Sequence, residues 1–352
     1  MRVSTILAAS AAVLVAAHPG HDHSDEILQR RDFISNTKRS DLSHCAAKLK
    51  ARGVEQRSTL RRRALADARS KRGIIGRDVS DKNKSHLSDS GYTAETPLDT
   101  IFSSNTSCLL SPEVTEGPYY VAGEYIRQNI TEDEQGVPLT LDIAIFDVDT
   151  CDPITDAWVE IWHCNSTGVY SGVPSGADYT DAPENIDTTF LRGFQQTDTD
   201  GAISFDTIYP GHYTGRTQHI HVMVHPAATA RANLTIEDTT ASHVGQVYFD
   251  QDLSDKVEAL SPYSTNTQEI TTNAEDMLID QSLATGDAIV EYVLLSETVS
   301  DGVLAWISFG VNTTYKRTAS AAATLTEDGG VENNSTSGGG PDFPGGSDGL
   351  KH

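Results

Sequence analysis

Four side chains able to bind a metal ion or stabilise charge crowd into nine positions. They are Tyr213, Arg216, His219 and His221, in the stretch Tyr209-Pro-Gly-His-Tyr-Thr-Gly-Arg-Thr-Gln-His-Ile-His221. Residues two apart in a strand point to one face, so His219 and His221 would present both imidazoles to a single ion. Zinc, copper and iron sites all use such a pair. A phenolate from Tyr213, on the turn before the strand, shifts the preference to a hard, highly charged ion such as Fe(III). Oxygen-activating ferrous sites usually add a carboxylate to two histidines, and none stands here at similar spacing. A second phenolate would offset the charge of Fe(III). Tyr170, on a turn after Trp162-His-Cys-Asn-Ser-Thr-Gly-Val, is placed to supply it.

The elements that must position these groups read as strands. Ile220-His-Val-Met-Val224 has strand composition, and Leu139, Leu141, Ile143 and Ile145 alternate with Thr140, Asp142 and Ala144. Further strands are predicted at 157–163, 190–197, 202–206, 219–225, 244–249, 287–296 and 303–311, with turn clusters between them. The pattern predicts an all-β domain at 101–317, a β-sandwich or a barrel. Helix is expected at 254–260 and over 41–72, where Gly53 interrupts it. Residues 73–100 read as a polar linker. The composition of 318–352 predicts a disordered Gly/Ser/Asn-rich tail.

Residues 1–17 have the form of a signal peptide, with an apolar run too short to span a bilayer. No other run is long enough, so no membrane partner is expected. Export agrees with sequons at Asn83, Asn105, Asn129, Asn165, Asn233, Asn312, Asn333 and Asn334. It agrees also with an even count of four cysteines. Of the three pairings possible, Cys151–Cys164 with Cys45–Cys108 is favoured, because the first pair flanks a predicted strand pair. Residues 18–100 form a basic, partly helical segment that opens with the histidine-rich His18-Pro-Gly-His-Asp-His23. It holds most of the 18 basic residues that precede residue 89, out of 26, whereas only 9 of the 50 acids do so. The remaining three-quarters is strongly acidic, which argues against a nucleic-acid partner.

Taken together these stretches resemble the intradiol ring-cleavage dioxygenases. Trp162-x-x-Asn165-x-x-Gly168-x-Tyr170 is similar to that family's first tyrosine motif. The stretch from Thr197 to Tyr213 resembles its second, and Arg216-x-x-His219-x-His221 its arginine–histidine motif. Thr115-Glu-Gly-Pro-Tyr-Tyr120 and Gln246-Val-Tyr-Phe249 resemble segments lining the catechol pocket. The likeness covers roughly residues 106–312, in family order. It implies non-haem Fe(III) held by Tyr170, Tyr213, His219 and His221. It also implies a catechol-type substrate and O2 as reactants, with cleavage between the two hydroxylated carbons to a muconate-type diacid. Tyr213 would leave the metal and take a substrate proton while Tyr170 stays. Arg216 would stabilise developing negative charge, Gln246 would position Arg216 or a ligand, and Pro118 and Tyr119 would wall the ring. Two departures are the short link from Tyr213 to His219, which implies a more open pocket, and Cys164, which fits an added disulfide.

Two other readings share parts of the pattern. A transthyretin-like binding module would have the strands without the ligand set. A secreted metal-binding protein would use residues 18–23 in place of Tyr213. Oligomeric state is not encoded in any pattern found.

Overall fold

The computed structural model describes residues 42–70, 107–109, 117–174, 183–283 and 286–333. The predicted signal peptide, the histidine-rich start, the linker at 73–100, Thr115, Glu116 and the segment from 334 onward lie outside these residues.

Two sheets face each other, the first of mixed parallel and antiparallel pairing and the second antiparallel throughout. The first contains β1 (Ser107–Leu109), β4 (Pro138–Asp147), β7 (Ala202–Ile208), β12 (Glu291–Leu294) and β13 (Val303–Val311). Its order is β1-β13-β4-β7, with β12 also on β13. β13 runs parallel to β4 from Val303↔Leu139 to Val311↔Asp147. Its other edge is shared, β12 pairing with Val303–Trp306 and β1 with Ser308–Gly310. The second sheet has the order β11-β8-β5-β6: β5 (Trp158–Trp162), β6 (Arg192–Gln196), β8 (His219–His225) and β11 (His243–Tyr248).

The alternation read from the sequence sets the core. Leu139, Leu141, Ile143 and Ile145 of the first sheet meet Val159, Ile161, Ile220, Val222, Val224 and Val247 of the second. Each such residue, fully buried, contributes about 1.5–3 kcal/mol of apolar transfer energy. Strand β8 is buried along its whole length, so its odd-numbered residues are covered as well. They face the layer that forms the site.

Outside the first sheet lie helix α1 (Ala46–Ala51) and helix α2 (Val54–Arg69), separated by Gly53 at φ 67°. The polar residues of β4 that alternate with its core residues explain the basic run. Arg61 holds buried Asp142 through Nε–Oδ1 at 2.8 Å and Nη2–Oδ2 at 3.0 Å, and Arg62 Nε reaches the same carboxylate at 3.2 Å. Arg69 clamps Asp206 in the same forked way. The Arg62 guanidinium also lies 5.1 Å from the Trp306 ring centroid. Arg61 and Arg62 therefore bind this segment to an acidic sheet, while Arg63 stays at the surface with Asp67.

Two expectations need correction. The disulfide is Cys45–Cys151, and Cys164 is a buried free thiol whose Sγ lies 3.4 Å from the Gly211 carbonyl. Cys151 packs with Cys45 and Val54 on the helical side of the first sheet, whereas Cys164 packs with Tyr170 and Tyr213 beyond the second. The core between the two sheets separates the residues that local spacing paired. The second correction concerns the tail. From 317 to 333 the chain is folded, as β14 (Arg317–Thr318), β15 (Ala323–Thr326) and β16 (Gly329–Glu332). β15 and β16 form a hairpin, and β15 pairs in parallel with β2 (Val121–Ala122). Ala323 and Leu325 are buried in the site layer, so a few well-placed apolar residues order a segment of polar composition.

Short pairings complete the surface: β3 (Glu124–Tyr125) with β9 (Thr235–Ile236), and β10 (Thr240–Ala241) with β14. Helix α3 (Gln251–Glu258) begins three residues before its predicted start, and α4 (Met277–Leu283) was not anticipated. Among the described residues no helix is long and apolar enough to cross a membrane.

Candidate metal centre and active site

Register within the second sheet sets out the floor of the site. His221 stands opposite Trp162 on β5 and Gln246 on β11, and His219 stands opposite Tyr248. Directly opposed residues share a face, so these side chains form two adjacent rows. The imidazoles of His219 and His221 lie 4.9 Å apart by ring centroid. The His221 ring stacks on Trp162 at 4.7 Å, 7° from parallel.

Two turns bring the tyrosines over this floor. In the first, Asn165 Oδ1 accepts bonds from Thr167 N at 3.0 Å and Val169 N at 3.1 Å. Gly168 has φ +87°, and a Cβ there would sit 2.4 Å from the His212 carbonyl oxygen. In the second turn, a Cβ on Gly211 would sit 2.4 Å from the Asn165 carbonyl oxygen. Each turn thus touches the other through a glycine, which is the physical content of the Asn-x-x-Gly-x-Tyr and Pro-Gly-His-Tyr spacings. Residues 266–271 brace both turns. Asn266 Nδ2 donates to His212 O at 2.8 Å, and Gln268 Nε2 donates to Thr167 O at 3.3 Å.

Tyr170 and Tyr213 converge on His219. Their hydroxyls lie 3.5 Å and 3.3 Å from its Nε2, and their ring centroids are 5.9 Å apart. His219 Nδ1 donates to Thr217 O at 2.7 Å, which leaves Nε2 bare towards the phenols. Burial raises both phenol pKa values well above the ordinary tyrosine range, with Tyr213 adding to the effect at Tyr170 and Arg216 opposing it at Tyr213. Burial, then Arg216, pushes His219 well below its usual value. A buried pair of phenols next to neutral imidazoles stays un-ionised until a cation sits among the four. Two nitrogens and two oxygens of this type fit a hard trivalent ion. Among the described residues His44, Cys45 and Cys151 also cluster, within 4.8 Å. Both of those sulfurs are in the disulfide and are not thiolates, the form that binds metal.

Arg216 is fully buried and firmly held. Nε donates to Asp276 Oδ2 at 2.9 Å, and Nη2 donates to Gln246 Oε1 and lies 3.5 Å from the Tyr248 hydroxyl. Asp276 Oδ2 also accepts from Thr217 N at 2.9 Å. Gln246 Nε2 lies 3.5 Å from His221 Nδ1, so Gln246 spans Arg216 and His221. Among the described residues Nη1 of Arg216 has no hydrogen-bond partner. A buried N–H group held this way is available to an anionic ligand.

Tyr119 stacks on Tyr170 at 4.5 Å and meets Tyr213 edge-on at 6.2 Å. Pro118 is half-buried beside Gly117, where a Cβ would lie 3.5 Å from His221 Cε1. Every predicted site residue thus falls in one region. His163, His212 and His225 take other partners. His163 Nδ1 donates to Cys164 O and its Nε2 accepts from Thr207, while His212 pairs with Glu258 and His225 with Glu160. Asp276 and Tyr248 escaped the sequence reading. Asp276 is 60 residues from Arg216 and carries no local signal, whereas Tyr248 is two positions from Gln246 in the same strand and was within reach.

Comparison with known proteins agrees with this geometry. Residues 115–286 match a family model described as "Dioxygenase". Catechol 1,2-dioxygenase 1 of Acinetobacter lwoffii is 34% identical over 119 residues, covering 31% of this chain and 36% of that one. Catechol 1,2-dioxygenase of Acinetobacter baylyi is 27% identical over 200 residues, 49% of this chain and 62% of that one. This chain therefore spans between about a third and three-fifths of these curated relatives. A solved structure titled "Intradiol ring-cleavage Dioxygenase from Tetranychus urticae" is 33% identical, covers 58% of this chain and 95% of its own, and superposes with a TM-score of 0.49. Residues 115–286 thus carry the pattern of the dioxygenase family, and the curated proteins that this chain resembles are catechol 1,2-dioxygenases, in line with the resemblance to the intradiol ring-cleavage dioxygenases carried by the motifs.

Proposed function

We propose that this chain is an exported non-haem Fe(III) dioxygenase that opens catechol-type rings between the two hydroxylated carbons, using both atoms of O2 and yielding a muconate-type diacid. The observation that carries the reading is the approach of two buried phenols to the bare Nε2 of His219, beside an arginine with a free Nη1. The relatives named catechol 1,2-dioxygenase support the substrate class.

In this reading Tyr170, Tyr213, His219 and His221 hold the iron. When bound, iron supplies a Lewis acid that anchors the catecholate and makes its ring open to O2. The protein does the rest. Tyr213, on giving up its ligand role, would take up a catechol proton at Oη as a phenolate, because burial without a cation beside it favours the neutral phenol. Arg216, fixed by Asp276 and Gln246, directs Nη1 hydrogens at negative charge that develops on the ring oxygens, where a charged donor in a dry site is most effective. Tyr119 and Pro118 flank the aromatic ring. Export is supported by the Cys45–Cys151 disulfide, a bond typical of oxidising compartments, and by the eight sequons.

The test is to load the protein with iron, record its visible absorption, and follow O2 uptake and product mass over a panel of catechols. A tyrosinate band in the visible and a product carrying both oxygen atoms of O2 are expected. Tyr170→Phe and Tyr213→Phe should each weaken the band. Absence of iron uptake and of the band would overturn the assignment in favour of a non-catalytic sandwich module.

A further inference from the structure

The two turns that carry Tyr170 and Tyr213 meet directly where they begin. Gly211 N donates to Asn165 O at 3.2 Å, and the close contacts at Gly168 and Gly211 keep the turns from approaching further. A backbone bond at that point is a hinge, about which two rigid turns could still splay. Each turn is rigid in itself. Asn165 Oδ1 holds Thr167 N and Val169 N in the first, and Arg216 N donates to Tyr213 O at 3.2 Å in the second. A group that grips Thr167 or Thr214 therefore also carries the phenol of the same turn.

One side chain grips both. Gln268 Oε1 accepts from Thr214 N at 3.2 Å, and Gln268 Nε2 donates to Thr167 O at 3.3 Å. The orientation of the amide follows from its partners, since one is a backbone N–H and the other a carbonyl. The backbone of Gln268 is anchored as well. Its N donates to Asn266 Oδ1 at 3.0 Å, and its carbonyl accepts from His212 Nε2 at 3.1 Å. A Cβ on Gly168 would sit 2.5 Å from Gln268 Nε2, so the amide fills the notch that the glycine leaves. The tie needs a donor and an acceptor side by side at the end of an arm this long. Glutamate lacks the donor, asparagine is shorter by a methylene, and methionine has the length without either bond. Thr271, three residues on, bonds the second turn, its Oγ1 accepting from Gly215 N at 2.9 Å.

We infer that Gln268 is a positioning residue whose amide ties the two turns together at a second point, and so sets the separation of Tyr170 and Tyr213 over His219. This rests on the ligand roles proposed above for the two tyrosines. The glycine contacts set the least distance between the turns, and the amide sets the greatest. Both phenols can serve one ion only if that interval is narrow.

The experiment compares Gln268→Met, Gln268→Glu and Thr271→Val with wild type. Gln268 is half-buried in a loop, so these proteins should fold, and urea unfolding checks that they do. The metal-free proteins, labelled with 3-fluorotyrosine, are read by 19F NMR. Resonances are assigned by their loss in Tyr170→Phe, Tyr213→Phe and Tyr292→Phe. Gln268→Met should shift or broaden Tyr170 and Tyr213 together, while Tyr292, in the core between the sheets, stays unchanged. Gln268→Glu keeps the bond to Thr214 N but sets a carboxylate oxygen against Thr167 O, so Tyr170 should move more than Tyr213. Thr271→Val should move Tyr213 and leave Tyr170 in place. In iron-loaded Gln268→Met the tyrosinate band should shift, and kcat should fall about 10-fold with KM within about 2-fold. An unchanged Tyr170 resonance in Gln268→Met, or in Gln268→Glu should Gln268→Met not fold, overturns the inference. A response of Tyr213 alone to every variant also overturns it, because the amide then braces one turn rather than tying two. If wild-type protein takes up no iron, the ligand reading fails, while the 19F comparison still decides whether Gln268 couples the turns.

Discussion

The Arg216–Asp276 pair gives the sharpest quantitative test. Both side chains are buried, at 0% and 1% exposure, and the carboxylate serves three donors. Oδ2 takes Arg216 Nε and Thr217 N, each at 2.9 Å, while Oδ1 takes Leu278 N at 2.7 Å at the start of α4. Asp276→Ala strands a buried guanidinium, which typically costs about 3–5 kcal/mol. It also removes a cap to a short helix, worth about 1 kcal/mol. These losses overlap, so about 4 kcal/mol is expected in the metal-free protein. Asp276→Asn keeps one acceptor but no charge and should lose about 2 kcal/mol. Urea unfolding followed by fluorescence reads both values. A double-mutant cycle with Arg216→Met isolates the pair, because removing both charges abolishes the stranded-charge penalty. The double variant should be at least about 2 kcal/mol more stable than the sum of the single losses. Additive losses, or an Asp276→Ala protein within about 1 kcal/mol of wild type, would refute the view that Asp276 holds Arg216 in the site.

Three further outcomes follow from other parts of the structure. Glu124, whose folded pKa is raised to about 8, favours the folded state while protonated, so that contribution is complete below the ordinary carboxylate range and is lost as pH rises through 8. Between pH 7 and 8 wild type should lose about 1 kcal/mol that Glu124→Gln retains, measured by urea unfolding at both pH values. His163 and His243, both lowered to about 4 by burial, act with opposite sign and chiefly below pH 6.5, outside this window. Cys45→Ser should cost about 4.8 kcal/mol by the chain-entropy estimate, because the bond closes a separation of 106 residues. Cys164→Ser should leave the cross-link intact by non-reducing peptide mapping. Glycan mapping of the exported protein should find sugar at exposed Asn129 and Asn233 but not at Asn165 or Asn333. The Asn165 side chain is tied into its own turn, Oδ1 accepting from Thr167 N and Val169 N, and Asn333 Nδ2 donates to Ala321 O and Thr324 Oγ1, each at 3.0 Å.

What the sequence revealed was local. The period-two alternation in 139–145 and the His-x-His strand hold their register in the folded chain, because one face of each is core. Gly168 and Gly211 were visible as motif positions, but their reciprocal contact needed coordinates. The features that escaped are pairings between distant segments. Asp276 finds Arg216 across 60 residues, and Cys45 finds Cys151 across 106. Gln268 looked like an ordinary loop residue until its two amide bonds placed it between the tyrosine turns. The hairpin at 323–332 was hidden by polar composition, since Ala323 and Leu325 alone carry its apolar contact with the site layer.

The order in which these strands occur along the chain has a further meaning for biosynthesis. β13 must enter between β4 and β1 before the first sheet is complete, and β15 must lie against β2 before the layer around Tyr170 and Tyr213 is closed. Translation delivers those two strands after every ligand-bearing segment has already emerged. The layer around the two tyrosines is therefore completed last, once synthesis has passed the end of β16, so its closure is a late event of folding rather than a nucleus for it.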